Sequence, residues 1–538
     1  MKKLFILLIT TLLFLSPCQV VADAVVGQSE TQAAAALARR ILPRLSSSIR
    51  FVYIPSDRDH FVLEMCGDEL QIAGNSAVSM AFGLNCYLRD YCRITVTWYR
   101  RDKIDEPKRL PIVVGRIERE ARVENRFFLN YCTYGYSLNW WQWDEWEHFI
   151  DWMALNGVTM ALATTGQEAV WQRVWRQFGL DDETIRNYFT GPSYLPWHRM
   201  ANIDAWHGPL PQSWIDGQLE LQQRIVARER ELGIQPIFTS FTGHVPKALK
   251  QFFPDADIKR LNPWTSFEKP YNSYYLNPAE PLFNRIQQAY MQEQRRLFGE
   301  SFIYGVDPFN ELDPPSWDPE YLARAARLTY ESITRFDKNA VWLQMAWVFY
   351  HKRKDWTPER LKAYLCAVPE GKLLMLDYYC DKVELWRSTE SFYGQPFIWS
   401  YLGNFGGNTM LAGDMKDVSR KLDRAYVEAE LKESVMGHVI SWGSAVRSKG
   451  WMSIRSCMNM YWTVLGYGCI TMPSGSIGWQ TVGAGVSIHI IGRLGRFFMT
   501  KFTGLRAETV RRRFVPARIW KAARRGAVRI PITTIGIY

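Results

Sequence analysis

Beyond Arg119 the chain alternates short, mostly apolar runs with longer segments in which apolar positions recur at helical spacing. Runs of the first kind read as buried strands and segments of the second kind as helices. The strand candidates are Phe127–Cys132, Gly157–Ala163, Gln235–Ser240, Phe302–Asp307, Ala340–Ala346, Leu373–Tyr378 and Pro396–Leu402. Helices are expected between them, for instance at Trp143–Asn156, Trp214–Leu232, Pro281–Phe298 and Pro319–Arg335. Repeated strand-then-helix units over about 330 residues favour a (β/α)8 barrel. Its eighth strand is expected further on, where the sequence changes character.

The earlier part has a shorter rhythm. Phe51–Ile54 and Phe61–Glu64 read as strands, Ser76–Leu88 as a helix after the turn residues Gly74 and Asn75, and Ile94–Trp98 as another strand. The fold class is therefore α/β, with a small α/β domain at residues 25–118 ahead of a TIM-barrel domain at 119–446. Residues 1–24 stand apart. Lys2 and Lys3 precede an apolar run from Leu4 to Leu15, and the small residues Ala22 and Ala24 follow. That is the pattern of an export signal, which implies a periplasmic or extracellular protein. Pro17 stands where a small residue would precede a lipidated Cys18, so a lipoprotein is the less favoured reading. No other stretch is long and apolar enough to span a bilayer, and no stable membrane insertion is expected.

Composition changes this picture in two ways. The chain holds 23 Trp, 26 Tyr and 28 Phe in 538 residues, enough to fill a large core or to stack on sugars. Its net charge of +11 invites a nucleic-acid reading, but from Arg447 to Tyr538 there are 15 Lys or Arg against one acid, Glu508. That tail carries +14, so residues 1–446 are left at −3, and no nucleic-acid partner is expected. The cysteines Cys66, Cys86, Cys92, Cys132, Cys366 and Cys380 show no paired metal spacing, nor do the eight His, so no metal is expected. A disulfide between Cys86 and Cys92 is allowed.

In such barrels the working groups stand at the carboxyl ends of the strands. The segment GVDPFNELDPP places Asn310 and Glu311 at a strand exit, ahead of a Pro-rich loop. A carboxyl group walled by Phe309 and other aromatics loses water, which favours its protonated form, as a general acid requires. Cleaving a glycosidic bond takes two such groups, one to protonate the leaving oxygen and one to attack or to activate water. Other exits are also rich in polar and aromatic residues: Asn130, Cys132, Tyr136, Trp140 and Trp141; Gln167, Glu168 and Trp171; His244; Trp347; Asp377; Trp399 and Asn404. Each alone reads better as a core or loop residue. Together they describe a ring of sugar-binding groups.

Several long runs resemble the α-N-acetylglucosaminidases of glycoside hydrolase family 89. They are FFLNYCTYGYSLNWWQWDEWEHFIDWMALNGVTMALATTGQEAVWQRVW, FTGPSYLPWHRMANIDAWHGPLPQSW, FTGHVPKAL, YGVDPFNELDPP and FIWSYLGNFGGN. The likeness extends from about residue 50 to 425 and includes GNSAVSMAFGLNCYLRDYC in the first domain. It implies a retaining exo-glycosidase that removes terminal α-linked N-acetylglucosamine from glycosaminoglycans or glycoproteins, with two glutamates and no cofactor. Glu311 matches the family's acid/base glutamate. Asn130, Cys132, Tyr136, Trp206, His244, Asn310 and Trp347 match positions that would line the sugar pocket, with Asp377 and Asn404 as weaker matches.

The sequence then departs from the family. The nucleophilic glutamate expected after the Phe-Gly-Gly-Asn segment, and the all-helical domain expected after it, are not found beyond about Val427. A shifted reading frame accounts for this. Reading each codon's third base with the next codon's first two forces Asp across Trp451–Met452, Glu across Met458–Asn459 and Asp across Trp462–Thr463. It also permits Glu-Gly-Leu-Asp-Val-Asn-Pro-Phe from Ser448, the passage that the family resemblance leads one to expect, with the nucleophile read across Ser448 and Lys449. The chain as it stands is accordingly expected to be crippled in turnover and, lacking a closing strand, to fold poorly. The alternatives are a non-catalytic sugar-binding protein and the product of a decayed gene. Glu168, Glu428 and Glu430 are the carboxylates that could serve instead.

Overall fold

The computed structural model describes residues 17–98, 104–136, 138–403, 414–436 and 441–446, with two short strands beyond them. It divides into two compact units, Met1–Cys469 and Ile470–Tyr538. In the second unit the described elements are the antiparallel strands Ile477–Trp479 and Ile488–Ile490.

The first described elements of the first unit are the helix Pro17–Ile41 and a four-stranded sheet. Its strands are β1 (Ile49–Tyr53), β2 (His60–Cys66), β3 (Glu69–Gly74) and β4 (Ile117–Glu120), in the order β1-β3-β2-β4. β2 turns into β3 through Gly67 and Asp68, with Cys66 opposite Glu69. Gly67 has φ +66°, which a two-residue hairpin needs and only glycine adopts without strain. The helix Ala77–Asp90 is capped by Ser76, whose hydroxyl accepts from the Ser79 amide. This helix is buried on almost every face, and a Cβ on Gly83 would meet Phe61 at 3.0 Å.

The strand expected at Ile94–Trp98 does not form. Arg93 takes a left-handed φ of 59°, and Trp98 packs on Phe149 and Trp152 of the helix Trp143–Leu155. The alternation there records one-sided packing of an extended segment, not a ladder; the fourth strand is β4 instead. Cys86 and Cys92 are both free thiols.

The barrel is closed by β5 (Asn125–Phe128), β6 (Met160–Leu162), β7 (Gln235–Thr239), β11 (Ile303–Gly305), β12 (Val341–Met345), β13 (Leu373–Asp377), β14 (Phe397–Tyr401) and β15 (Ser441–Val446), all parallel. Between β7 and β11 the chain makes an antiparallel excursion of β8 (His244–Val245), β9 (Ile258–Arg260) and β10 (Tyr274–Leu276). Strands β11 to β14 are buried along their whole length, which is why they read as continuous apolar runs. The expectation that the closing strand is lost is overturned. β15 pairs with both β14 and β5, so the ring is complete before the sequence departs at Arg447.

Two ion pairs tie the small domain to the barrel. Arg40 grips Asp151 with Nε at 2.6 Å and an Nη at 2.7 Å. Arg126, fully buried, binds Asp59 and the Val123, Glu124 and Gly157 carbonyls.

Candidate active site

Glu311 is placed by a strained turn. After β11 the backbone at Phe309 enters the left-handed region at φ +62°, which costs a non-glycine residue about 1–3 kcal/mol unless its surroundings hold it. They do: the Phe309 ring lies 4.8 Å from Tyr275 of β10, and the Leu312 amide donates back to the Phe309 carbonyl. The Asp313 amide donates to Asn262 Oδ1 at 2.9 Å. The result is a half-buried carboxyl group at the barrel mouth.

Both of its oxygens are held. Trp347 donates its indole N–H to Oε1 at 2.8 Å, and Trp264 donates to Oε2 at 2.7 Å. A carboxylate offers about four lone-pair directions; these two donors fix its plane and leave the others available to a substrate. Trp347 stands just past β12, where strand exits place chemistry. Trp264 comes from the excursion between β9 and β10 and is not singled out by the sequence. Nothing in its spacing marks it, because the contact depends on how β10 docks against Phe309.

From Trp264 an aromatic wall continues in two directions. Phe267 stacks on it at 5.5 Å and Trp206 meets Phe267 at 4.9 Å. On the other side Trp197 lies 5.9 Å from Trp264, and Tyr136 meets Trp197 edge-on at 5.4 Å. Burial pushes the Tyr136 hydroxyl up, with Cys132, Tyr194 and Glu311 adding to the effect. Cys132, Tyr136 and Glu311 thus share one neighbourhood. Asn130, fully buried, accepts from the Thr133 amide through Oδ1, while its Nδ2 has no partner among the described residues. Asn310 is buried against the Met200 sulfur at 3.4 Å.

Trp206 is linked to Glu311 through two intervening rings. His244 lies in a buried cluster of its own: His244 Nε2 is 2.7 Å, and His198 Nδ1 3.2 Å, from Asp204 Oδ1. Burial pushes His244 below its usual range against the pull of Asp204. Two His and an Asp could also hold a divalent transition ion. His198 Nδ1, however, lies 3.0 Å from the Ile203 carbonyl, which only accepts, so that nitrogen carries a proton and is not a ligand as arranged.

The other aromatic and acidic candidates divide by burial. Trp141 packs on Trp146 and Phe149, Trp171 stacks on Trp175, and Trp399 is 1 % exposed and donates to Glu384 at 3.0 Å. Trp141 and Trp399 are core residues, and Trp171 is a partly buried ring packed against the core. Trp140 is 65 % exposed at the rim. Asp377, at the end of β13, accepts from the Trp386 amide, and burial raises its pKa to about 7. Glu168 is clamped by Arg199 through two bonds of 2.7 and 2.8 Å, and Glu428 pairs with Arg387. Asn404 and the Glu430 side chain lie outside the described residues.

Residues 126–445 match the family model for the alpha-N-acetylglucosaminidase (NAGLU) tim-barrel domain, and residues 32–112 match that for the N-terminal domain of the same family. The human protein named alpha-N-acetylglucosaminidase is 43 % identical over 351 residues, covering 65 % of this chain and 47 % of its own length. A family 89 glycoside hydrolase from Clostridium perfringens, in complex with 2-acetamido-1,2-dideoxynojirmycin, superposes with a TM-score of 0.72 at 24 % identity, covering 82 % of this chain and 49 % of that one. The same organism's protein in complex with its substrate GlcNAc-alpha-1,4-galactose gives 0.71, covering 81 % and 48 %. The chain therefore spans about half the length of the relatives it matches. With its barrel domain matched from the first strand to the eighth, the chain belongs to the α-N-acetylglucosaminidase family.

Proposed function

We propose that this locus encodes an exported, exo-acting retaining glycoside hydrolase that releases terminal α-linked N-acetylglucosamine from glycosaminoglycans or glycoproteins. Glu311 is its acid/base. The observation that carries this reading is the carboxyl group at a strand exit of the matched barrel, with each oxygen fixed by an indole N–H. A retaining mechanism asks that group to protonate the leaving oxygen and then to deprotonate water, so it must be held in one plane through both steps. Asn130, Cys132, Tyr136, Asn310 and Trp347 would meet the sugar directly, while Trp206 and His244 would support the wall from further out.

The nucleophile is a separate matter. β15 ends at Val446, and the sequence from Arg447 onward has no Asp or Glu before Glu508. This favours a second reading for the chain itself: a sugar-binding barrel without turnover. The shifted frame would place Glu two or three residues past β15, at the kind of position a barrel uses for chemistry. Assay with p-nitrophenyl α-N-acetylglucosaminide tests both. Turnover is expected from the frame-restored protein and none from this chain. Turnover by this chain would mean that another carboxylate serves, and none by either would refute the assignment.

A further inference from the structure

Next to the wall at Glu311, the barrel mouth carries an aromatic side chain that the wall does not use, Trp140. Among the described residues, the exposed Tyr and Trp side chains are Tyr136 and Trp140, at 48 % and 65 % exposure. They stand four positions apart on the one loop that follows β5. Trp140 is not a loose surface ring. It meets Trp214 edge-on at 5.1 Å, and Trp214 belongs to the first turn of the helix Gln212–Glu231. That helix leads into the start of β7, so in a parallel barrel its first turn lies at the mouth end. The loop is pinned again where Asn139 donates to Ser193 Oγ at 3.4 Å. A hydrophobic ring left in water and yet fixed by a second ring is a preorganised platform.

We propose that Trp140, braced by Trp214, is the platform for the sugar next to the terminal N-acetylglucosamine, the one on the leaving side of the scissile bond. The occupant follows from continuity. Tyr136, on the same loop, joins through Trp197 to Trp264 and so to Glu311. A glycan whose last residue sits against that wall continues outward along the loop, and its second ring meets Trp140. The inference rests on the proposed function, but it concerns which ring the chain prefers next, not whether a terminal sugar binds.

The test is a ligand-observed NMR titration of the full chain with free N-acetylglucosamine and with the disaccharide GlcNAc-α-1,4-galactose. The disaccharide should bind more tightly. Trp140→Ala should weaken it by roughly five- to tenfold, a typical stacking loss, and leave the monosaccharide unchanged. Trp140→Phe should restore most of the difference. Equal affinity for the two sugars, or an equal loss of both in Trp140→Ala, overturns the platform and leaves the terminal-sugar site standing. Failure to bind N-acetylglucosamine at all sinks the functional reading and the platform with it.

Discussion

Glu168 offers the sharpest separation of structure from chemistry, because it is a buried acid close to the mouth that the sequence alone could not exclude as a substitute nucleophile. Its side chain is 2 % exposed and that of Arg199 6 %, and the two are joined by a parallel pair of bonds at 2.7 and 2.8 Å. Among the described residues, Arg199 has one further weak hydrogen bond, to Thr164 Oγ1 at 3.4 Å. Replacing Glu168 with Gln keeps the shape but removes the countercharge, leaving a guanidinium in a site with little water. Breaking a buried pair on one side costs about 3–5 kcal/mol. The amide oxygen of Gln still accepts one bond, so the lower end, about 3 kcal/mol, is expected here. Urea unfolding followed by tryptophan fluorescence would read this as a lower midpoint at unchanged slope. The double variant Glu168→Gln/Arg199→Met should recover a large part of the loss, since an apolar replacement of both partners removes the orphaned charge. In the frame-restored protein, a Glu168→Gln variant of unaltered midpoint that had lost turnover would refute this reasoning and make Glu168 a working group.

Asp377 should give the fold a pH dependence. Burial raises its folded pKa to about 7, above that of the unfolded chain, so the native state keeps a proton that the unfolded state releases. Stability should therefore fall as pH rises from about 4 to about 7 and be flat above, with roughly 4 kcal/mol as the upper bound. Melting temperatures of Asp377→Asn across that range should show a shallower slope; an unchanged slope would place the titrating group elsewhere. Trp347→Phe and Trp264→Phe each remove one donor from Glu311, a charge-assisted bond worth about 1.5–3 kcal/mol. In the frame-restored protein each should lower kcat/KM by roughly tenfold to a hundredfold. The pair should be non-additive, and a double variant as active as the parent would contradict a shared role.

Much of the fold is legible in hydropathy, because a parallel barrel buries its strands on both faces. Pro281–Phe298 matches its sequence reading to the residue, Pro319–Thr334 and Leu373–Asp377 to within one. The Ile94–Trp98 segment misleads because one-sided packing on a helix leaves the same alternation as an edge strand. The closing strand β15 escapes for a different reason: SWGSAV is short on branched apolar residues and abuts the change in sequence character. The position of Glu311 at the mouth is legible because a strand exit in a barrel is where polar groups reach the mouth. Trp264 is not, since its approach to Glu311 is set by the packing of Tyr275 on Phe309 rather than by any spacing. Nor can sequence separate Trp140 from Trp141, neighbours of which one faces solvent and the other fills the core.

The nucleotide sequence between Arg424 and Trp462 would decide the reading frame, and an acidic, Trp-rich continuation in the shifted frame is the expected result. The central claim concerns the proton. In the frame-restored protein, Glu311→Gln should slow cleavage of an unactivated GlcNAc-α-linked disaccharide by about a hundredfold to ten-thousandfold. It should slow release of p-nitrophenol, a leaving group that needs little protonation, far less in the glycosylation step. If the disaccharide is cleaved by Glu311→Gln as fast as by the parent protein, the carboxyl group between Trp264 and Trp347 is not the acid, and the account is wrong.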